Sequence, residues 1–253
     1  MPHVTSHPPG SFCWVELGTT DVNAARTFYT QLFGWTVNEI PMGEFGVYTI
    51  FQKDGRDCAA GYELMSNQPG VPPNWLSYVA VADTDAAVGK AKGLGAAVVS
   101  EPMDVFDSGR MAVLADPQGA VFAVWQAKEH IGVQIRDEPD TLCWNELQVR
   151  DLEAAKKFYP ALFPWRMKES PEYTEWHLGE NAVGGMIVSQ WPPEVPSVWL
   201  PYFAVTDCEG TVAKSGSLGG STIVPPMEIA NVGRMAVLSD PQGAVFAVIR
   251  LAL

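Results

Sequence analysis

The strongest constraint on the fold is a long repeat inside the chain. Residues 109–126 read GRMAVLADPQGAVFAVWQ and residues 233–250 read GRMAVLSDPQGAVFAVIR, so only three of these eighteen positions differ. Self-similarity of this length indicates that the same structural unit occurs twice in the chain. The chain is therefore expected to fold into two similar structures.

Other segments repeat in the same order. The opening CWVEL (13–17) corresponds to CWNEL (143–147), and DVNAARTFYTQLFGW (21–35) corresponds to DLEAAKKFYPALFPW (151–165). The middle segments NWLSYVAVADTD and VWLPYFAVTDCE also correspond. Convergent use of strand and turn residues does not produce this series of matches, so we interpret it as a tandem duplication.

The matches set the predicted domain boundaries. A chain of 253 residues suits two domains of ordinary size. We predict domain 1 over residues 12–127 and domain 2 over residues 142–250. Residues 1–11 are predicted to form a loose N-terminal arm, and the charged segment 128–141 is predicted to be the linker.

Periodicity predicts the order of elements within one domain. After a short strand, Asp21 is placed to cap a helix, whose apolar residues recur at i, i+3 and i+4 up to Phe33, before Gly34 ends it. Three strands follow, and the order restarts at Trp75 with a strand, a helix and three strands. The predicted fold class is α+β, with a βαβββ module occurring twice in each domain.

These residues carry a resemblance to a known family. The paired βαβββ modules, the helix with Phe-Tyr (28–29 and 158–159) and the Asp-Pro-Gln-Gly turn resemble the vicinal-oxygen-chelate superfamily, which contains glyoxalases, bleomycin resistance proteins and dioxygenases. The Trp-x-Glu-Leu opening and the GRMAVL ending resemble its two-domain, glyoxalase-like bacterial members. The resemblance covers nearly the whole chain, and it implies that each domain forms a U-shaped mixed sheet around a cleft.

The resemblance also implies where metal ligands would lie. Metal-dependent members place His, Glu or Gln on the first and last strands of each module. The corresponding residues are Trp14, Ser77 and Ala123 in domain 1, and Trp144, Pro201 and Ala247 in domain 2, with a fourth position near Glu63 or Ile187. One candidate ligand does not hold a divalent ion, so we expect no metal site. We expect no other cofactor, because no phosphate-binding loop or dinucleotide fingerprint is present.

Alternation along the strands predicts what lines the clefts instead. Side chains two residues apart share a face, so if Trp14 points inward, Glu16 does too. The predicted ligand-binding residues are mostly aromatic or apolar: Trp14, Trp75, Ser77, Met111, Trp125, Trp144, Trp199, Phe203 and Met235. Such a lining suits a flat or hydrophobic compound held by one polar contact. The alternative is that the tryptophans fill the clefts and leave no pocket.

Glu16 and Glu146 are the candidate catalytic residues. A carboxylate in an apolar pocket has a raised pKa, which suits a general base. The alternative is a structural ion pair with Arg110 in domain 1 and Arg234 in domain 2, because these arginines recur with the glutamates. The sequence favours the ion pair, since neither glutamate has a recognisable nucleophile or metal-ligand set beside it.

Composition limits the partners and the location. The net charge of −13 disfavours nucleic acid, because an acidic chain repels phosphate backbones. The N-terminus has no signal-peptide pattern and no apolar run approaches the roughly 20 residues that span a bilayer, so we expect no membrane contact and a cytoplasmic protein. The cysteines lack metal-binding spacing, and Cys13 and Cys143 are predicted to be small buried residues.

Three functions are compatible with these features. The favoured hypothesis is a metal-independent protein that binds a small hydrophobic or aromatic compound in a tryptophan-lined cleft. The second is a glyoxalase-like lyase, isomerase or dioxygenase that uses a divalent metal, or Glu16 or Glu146 as a base. The third is a non-catalytic scaffold with packed clefts. The duplication predicts a monomer with pseudo-twofold domains or a homodimer.

Overall fold

Two eight-stranded mixed sheets form the structure, one from each half of the chain. The computed structural model describes residues 4–43, 46–64 and 70–252. Residues 1–3 of the predicted arm lie outside the described residues.

The first half, residues 12–127, folds as two βαβββ modules. Its helices are α1 (Val22–Phe33) and α2 (Thr84–Gly93). Its strands are β1 (Phe12–Thr19), β2 (Thr36–Pro41), β3 (Val47–Lys53), β4 (Arg56–Glu63), β5 (Asn74–Ala80), β6 (Ala97–Val105), β7 (Gly109–Ala115) and β8 (Val121–Ala127). Their order in the sheet is β2-β3-β4-β1-β5-β8-β7-β6. Strand β1 is parallel to β4 and antiparallel to β5, so the two modules join into one sheet.

The second half, residues 142–251, repeats this arrangement. Its helices are α3 (Leu152–Leu162) and α4 (Cys208–Ser217). Its strands are β9 (Leu142–Val149), β10 (Arg166–Glu169), β11 (Thr174–Leu178), β12 (Asn181–Val188), β13 (Val198–Ala204), β14 (Ser221–Ile229), β15 (Gly233–Ser239) and β16 (Val245–Leu251). Their order is β10-β11-β12-β9-β13-β16-β15-β14. The predicted α+β fold of tandem βαβββ modules is confirmed.

Each helix in the described residues begins after an aspartate cap. The Asp21 side chain accepts a hydrogen bond from a backbone N–H three residues later at 2.9 Å, and Asp83, Asp151 and Asp207 cap the other helices in the same way. Such a cap contributes about 1 kcal/mol, because it satisfies a backbone donor. Gly34 ends α1 with a φ of 69°, which favours glycine. No helix within the described ranges combines the length and the apolar character that a membrane crossing requires.

The halves pack together through two cores that contain residues from both. In the first core, Phe28, Tyr29 and Phe33 of α1 lie against Phe203 and Phe246 of the second half, with ring centroids 5.3–6.4 Å apart. These aromatic side chains are all buried. The apolar face of α1 is therefore covered by strands of the other half as well as by its own sheet.

The second core shows the same arrangement with the halves exchanged. Phe158, Tyr159 and Phe163 lie on or directly after α3 and contact Phe122 of the first half, with ring centroids 5.9–6.5 Å apart. Burial of apolar surface is the dominant favourable term in folding. Since each of these helices needs the sheet of the other half to cover it, neither half has a complete core by itself.

Two buried hydrogen bonds connect the repeated motifs. The Tyr29 hydroxyl donates to Asp240 at 3.0 Å, and the Tyr159 hydroxyl donates to Asp116 at 2.8 Å. The other carboxylate oxygen of Asp116 accepts backbone N–H groups of its own turn, from Gln118 at 2.8 Å. The Phe-Tyr motif of one half therefore binds the Asp-Pro-Gln-Gly turn of the other half, which gives both repeated motifs a structural role.

The arm and the linker pack along the first half. The backbone N–H of Val133 donates to the carbonyl oxygen of Cys13 at 2.7 Å, and Nε2 of His7 lies 2.9 Å from the Val133 oxygen. At Gly132 the φ is 106°, and a Cβ would come within 2.0 Å of the Cys13 oxygen, so the close approach requires glycine. Gly10 and Ser11 of the arm exchange backbone hydrogen bonds with Ala80 of β5 at 2.8 Å, so part of the predicted loose arm contacts the sheet.

All four cysteines are buried free thiols, as predicted for Cys13 and Cys143. Burial raises the pKa of the Cys13 thiol, so this group stays protonated. The four residues therefore act as small apolar side chains.

Candidate functional site

The candidate site lies on the face of each sheet that carries no helix, which we call the cleft face. In the first half, Trp14 of β1 lies opposite Tyr78 of β5, and Tyr78 pairs with Ala123 of β8. Glu16 follows Trp14 on the same face and pairs with Ala60 of β4. An apolar and aromatic surface therefore surrounds one carboxylate.

Glu16 is held by tyrosine hydroxyls. Tyr48 donates to Oε1 of Glu16 at 2.6 Å, and Tyr78 donates to Oε2 at 2.7 Å. The indole Nε1 of Trp14 donates to the Tyr48 hydroxyl oxygen at 3.2 Å. Burial raises the pKa of Glu16, and the two hydroxyls oppose this rise because they stabilise the carboxylate. The side chain as a whole is half-buried rather than enclosed.

Glu146 occupies the equivalent place in the second half and has one more donor. Tyr202 donates to its Oε1 at 2.8 Å, and Nε2 of Gln148 donates to the same oxygen at 2.5 Å. Tyr173 is a further hydrogen-bonding neighbour of the carboxylate, and its hydroxyl accepts from Nε1 of Trp144 at 2.8 Å. Glu146 is only 7% exposed, and burial raises its pKa.

Neither glutamate forms an ion pair with any side chain that the structure describes. Arg110 donates to Asp85 of α2 at 2.7 Å, and Arg234 pairs with Glu209 of α4. Arg110 precedes the cleft-facing Met111 on β7, so its own side chain emerges on the helix side of the sheet. The ion-pair interpretation of the two glutamates is therefore wrong.

Three of the predicted ligand-binding residues lie on the opposite face, in the cores between the halves. Nε1 of Trp75 donates to the Tyr29 hydroxyl at 2.9 Å, and Nε1 of Trp199 donates to the Tyr159 hydroxyl at 3.0 Å. Phe203 is buried in the same core as Trp75. The inward face that we assigned to these three residues is wrong.

Ser77 was also predicted to line the cleft, but it lies on the opposite face of β5. Its hydroxyl donates to Asn145 of the second half at 2.7 Å, in the buried contact between the sheets. Strand β5 is apolar on both faces, so alternation of polar and apolar residues does not reveal the inward face. The pairing with β1 places Leu76 and Tyr78 on the cleft face.

The remaining predicted residues lie on the cleft faces. Sδ of Met111 is 4.0 Å from the Tyr78 hydroxyl, and Met235 is buried in the corresponding cluster of the second half. Trp125 is buried as well, and its indole N–H donates to the carbonyl oxygen of His130 in the linker at 2.9 Å. Trp125 also borders a cavity of about 280 Å³ beside the arm. Their role in ligand binding stays a prediction.

The sequence reasoning missed the tyrosines that hold the two carboxylates. Tyr78 and Tyr202 occupy equivalent places in the matched segments LSYVAV and LPYFAV, so the repeat itself contained a signal. Tyr48 and Tyr173 lie on less similar strands and gave no such signal. Because the partners of a buried carboxylate are set by strand pairing, the structure was needed to identify them.

The side chains that meet on the cleft face of the first half differ from the usual ligands of a metal centre. The positions that meet across β1, β5 and β8 hold the indole of Trp14, the phenol of Tyr78 and the methyl group of Ala123. Within the described ranges, no group of three or more His, Cys, Asp or Glu side chains is placed to hold an ion. A catalytic divalent ion needs about three protein ligands. The described groups that hold Glu16 are tyrosine hydroxyls rather than further ligands of this kind.

Both halves consist of paired βαβββ modules, and each has a mainly aromatic and apolar cleft face with one carboxylate. Comparison with known proteins identifies the family to which such a chain belongs. The family model of the Glyoxalase/Bleomycin resistance protein/Dioxygenase superfamily matches residues 11–124. CFP32 of Mycobacterium bovis, which bears a glyoxylase name, is 40% identical over 257 residues, covering 99% of this chain and 98% of the relative. The chain therefore belongs to the glyoxalase/bleomycin resistance protein/dioxygenase superfamily.

Two further comparisons add detail. The anthracycline biosynthesis protein DnrV of Streptomyces peucetius is 37% identical over 264 residues, covering 98% of this chain and 96% of the relative. The Mn(II)-bound glyoxalase from Novosphingobium aromaticivorans has a TM-score of 0.67 at 12% identity, covering 96% of this chain and 82% of that protein. At that identity the structural likeness shows the fold alone.

Proposed function

We propose that the protein binds a small hydrophobic or aromatic compound on the cleft face of the first half, without a metal ion. The observation that carries this proposal is that Trp14, Tyr48 and Tyr78 meet around Glu16, and that no metal-ligand set is found beside them in the part of the chain that the structure describes. Small-molecule sites are mostly apolar, with a few placed polar groups that fix the orientation of the ligand. The name of DnrV, an anthracycline biosynthesis protein, is consistent with a role in the handling of small organic molecules.

The first half is the better candidate because its carboxylate is less enclosed. Glu16, Tyr48 and Met111 are half-buried, whereas Glu146 and Met235 are buried at 7% and 6% exposure. A ligand can reach a half-buried polar group without displacing the core.

Tryptophan fluorescence tests this proposal. A panel of aromatic compounds is titrated into the full chain, and we expect saturable quenching together with a rise in melting temperature, since a ligand that binds only the folded state stabilises it. Trp14→Phe should reduce the quenching. Trp75→Phe is the matched control, because it removes an equally buried indole from the same half, but from the core between the halves instead of the cleft face. A panel that gives neither quenching nor a thermal shift contradicts the proposal.

An enzymatic role for Glu16 is the second candidate. The raised pKa of its carboxyl group suits a proton donor or acceptor, and superfamily members include lyases, isomerases and dioxygenases. Metal analysis of protein purified without chelators tests the metal-dependent form of this candidate. About one equivalent of Ni, Zn, Mn or Fe per chain favours a metal-dependent enzyme and contradicts metal-independent binding.

A further inference from the structure

We propose that the compound bound by the first half is an organic cation, with an apolar or aromatic body and a primary or secondary ammonium group seated against Glu16. This inference rests on the proposed function and names the class of its ligand. It follows from a comparison of the hydrogen bonds that reach the two equivalent carboxylates, Glu16 and Glu146.

Glu146 has an N–H donor that Glu16 lacks. Nε2 of Gln148 donates to Glu146 at 2.5 Å, and the equivalent residue in the first half is Gly18, which has no side chain. In the described part of the first half, the donors to Glu16 are two hydroxyls, from Tyr48 and Tyr78. Since a carboxylate can accept about four hydrogen bonds, Glu16 has capacity left for an N–H group of a ligand.

Tyr62 provides an acceptor on the same side of Glu16. Its hydroxyl oxygen lies 3.3 Å from the place that a Cβ on Gly18 would take, and it makes no hydrogen bond with any residue that the structure describes. Burial and the nearby Glu16 raise the pKa of Tyr62 to about 12, so the phenol is neutral and its oxygen can accept. An ammonium group has three N–H or, when secondary, two N–H bonds, which is enough to supply one donor each to Glu16 and Tyr62.

The charge of the site favours a cation over a neutral or anionic ligand. No cationic side chain among the described residues pairs with Glu16, and Arg110 of the same half is engaged by Asp85 and Asp104. A carboxylate with apolar neighbours is stabilised by an opposite charge, and tyrosine and tryptophan rings favour cations over their faces. The net charge of −13 also attracts cations toward the protein. An anion would be repelled by the same groups.

Three probes with one apolar body and different charges test the ligand class. We would titrate 4-phenylbutylamine, 4-phenylbutanol and 4-phenylbutyrate into the full chain by calorimetry, near neutral pH and at low salt. The amine should bind at least about tenfold more tightly than the alcohol, because close charge pairs in binding sites contribute this much or more. The butyrate should bind more weakly than the alcohol.

Two variants locate the binding site. Glu16→Gln keeps the shape of the side chain and should reduce the affinity for the amine to that for the alcohol. Gly18→Gln places the second half's glutamine beside Glu16 and should also remove the preference for the amine. A Cβ at Gly18 would meet the far end of the Leu64 side chain at 2.9 Å, which can move. The matched control is Gly89→Gln, at a helix position with no atom within 4 Å of the new Cβ, which should bind like the wild type.

The outcomes separate this inference from the proposed function. Equal affinity for amine and alcohol, or a preference for the amine that survives in Glu16→Gln, overturns the ligand class and leaves apolar binding in place. If none of the three probes binds, the ligand class is overturned, and the fluorescence panel with Trp14→Phe decides the proposed function independently.

Discussion

The two halves are closely similar where they meet and different on their cleft faces. Between the halves, Tyr29 and Tyr159 make equivalent hydrogen bonds of 3.0 and 2.8 Å to the turn of the other half. On the cleft faces, Glu16 is half-buried with two hydroxyl donors, whereas Glu146 is 7% exposed and also accepts from Gln148. The comparison teaches that packing between the halves keeps the residues of the two copies alike. The residues on each cleft face are free of that requirement and differ between the copies.

The linker adds a second difference between the cleft faces. The ring of His130 packs edge-on against Trp14 with centroids 4.7 Å apart, and Trp14 is 4% exposed. No aromatic ring in the described residues packs on Trp144 in this way, and Trp144 is half-buried. The strand order is therefore shared by the two halves, but the surroundings of equivalent tryptophans are not.

The largest expected effect tests the similarity of the two cores. Phe122→Ala and Phe246→Ala each remove a fully buried ring, and each should lower the free energy of unfolding by about 3–5 kcal/mol. Because each core contains residues of both halves, urea unfolding followed by circular dichroism should show one transition in each variant. Two separate transitions, or losses that differ by more than about 2 kcal/mol, would contradict the equivalence of the cores.

A smaller effect should distinguish the two cleft tryptophans. Trp14→Phe should cost roughly 2 kcal/mol and Trp144→Phe roughly 1 kcal/mol, because both lose an indole hydrogen bond but only Trp14 is fully packed. Urea denaturation of the two variants gives these values. Equal losses would show that the contact of His130 with Trp14 adds nothing to stability.

The smallest expected effect is on the pH dependence of the melting temperature. The folded-state pKa of Glu146 is raised above its usual 4.5, so its contribution to stability is fully present below that pH and is lost as the pH rises through the raised value. The melting temperature of Glu146→Gln should therefore fall less with rising pH than that of the wild type. Asp116 and Asp240 shift in the same direction and are present in both proteins, so they cancel in the difference. An unchanged pH profile would show that burial of Glu146 does not perturb its titration.

The sequence predicted the architecture well because the signals for it are local. The helix beginning at Asp21 and ending at Gly34, and the Asp-Pro-Gln-Gly turns, depend on caps and φ angles that neighbouring residues determine. The repeat then supplied the second copy of each element. The confirmed fold class rests on these features.

The site was harder to predict because it depends on strand pairing. Strand β5 pairs with β1 so that Tyr78 lies opposite Trp14, and this register is not visible in a strand that is apolar on both faces. The cleft side chain is therefore Tyr78 rather than Ser77, and Trp75 lies in a core. Glu16 was placed correctly relative to Trp14, since both lie on one strand, but its tyrosine partners come from two other strands.

The two cores, which each contain residues of both halves, affect how the sequences of the two clefts can diverge. In an assembly of two identical chains, any substitution is made twice, so both clefts must accept it. Here one covalent chain encodes both copies, and Gly18 and Gln148 differ at equivalent positions while the surfaces that join the copies stay matched. Joining the copies thus permits the two clefts to carry different side chains at equivalent positions.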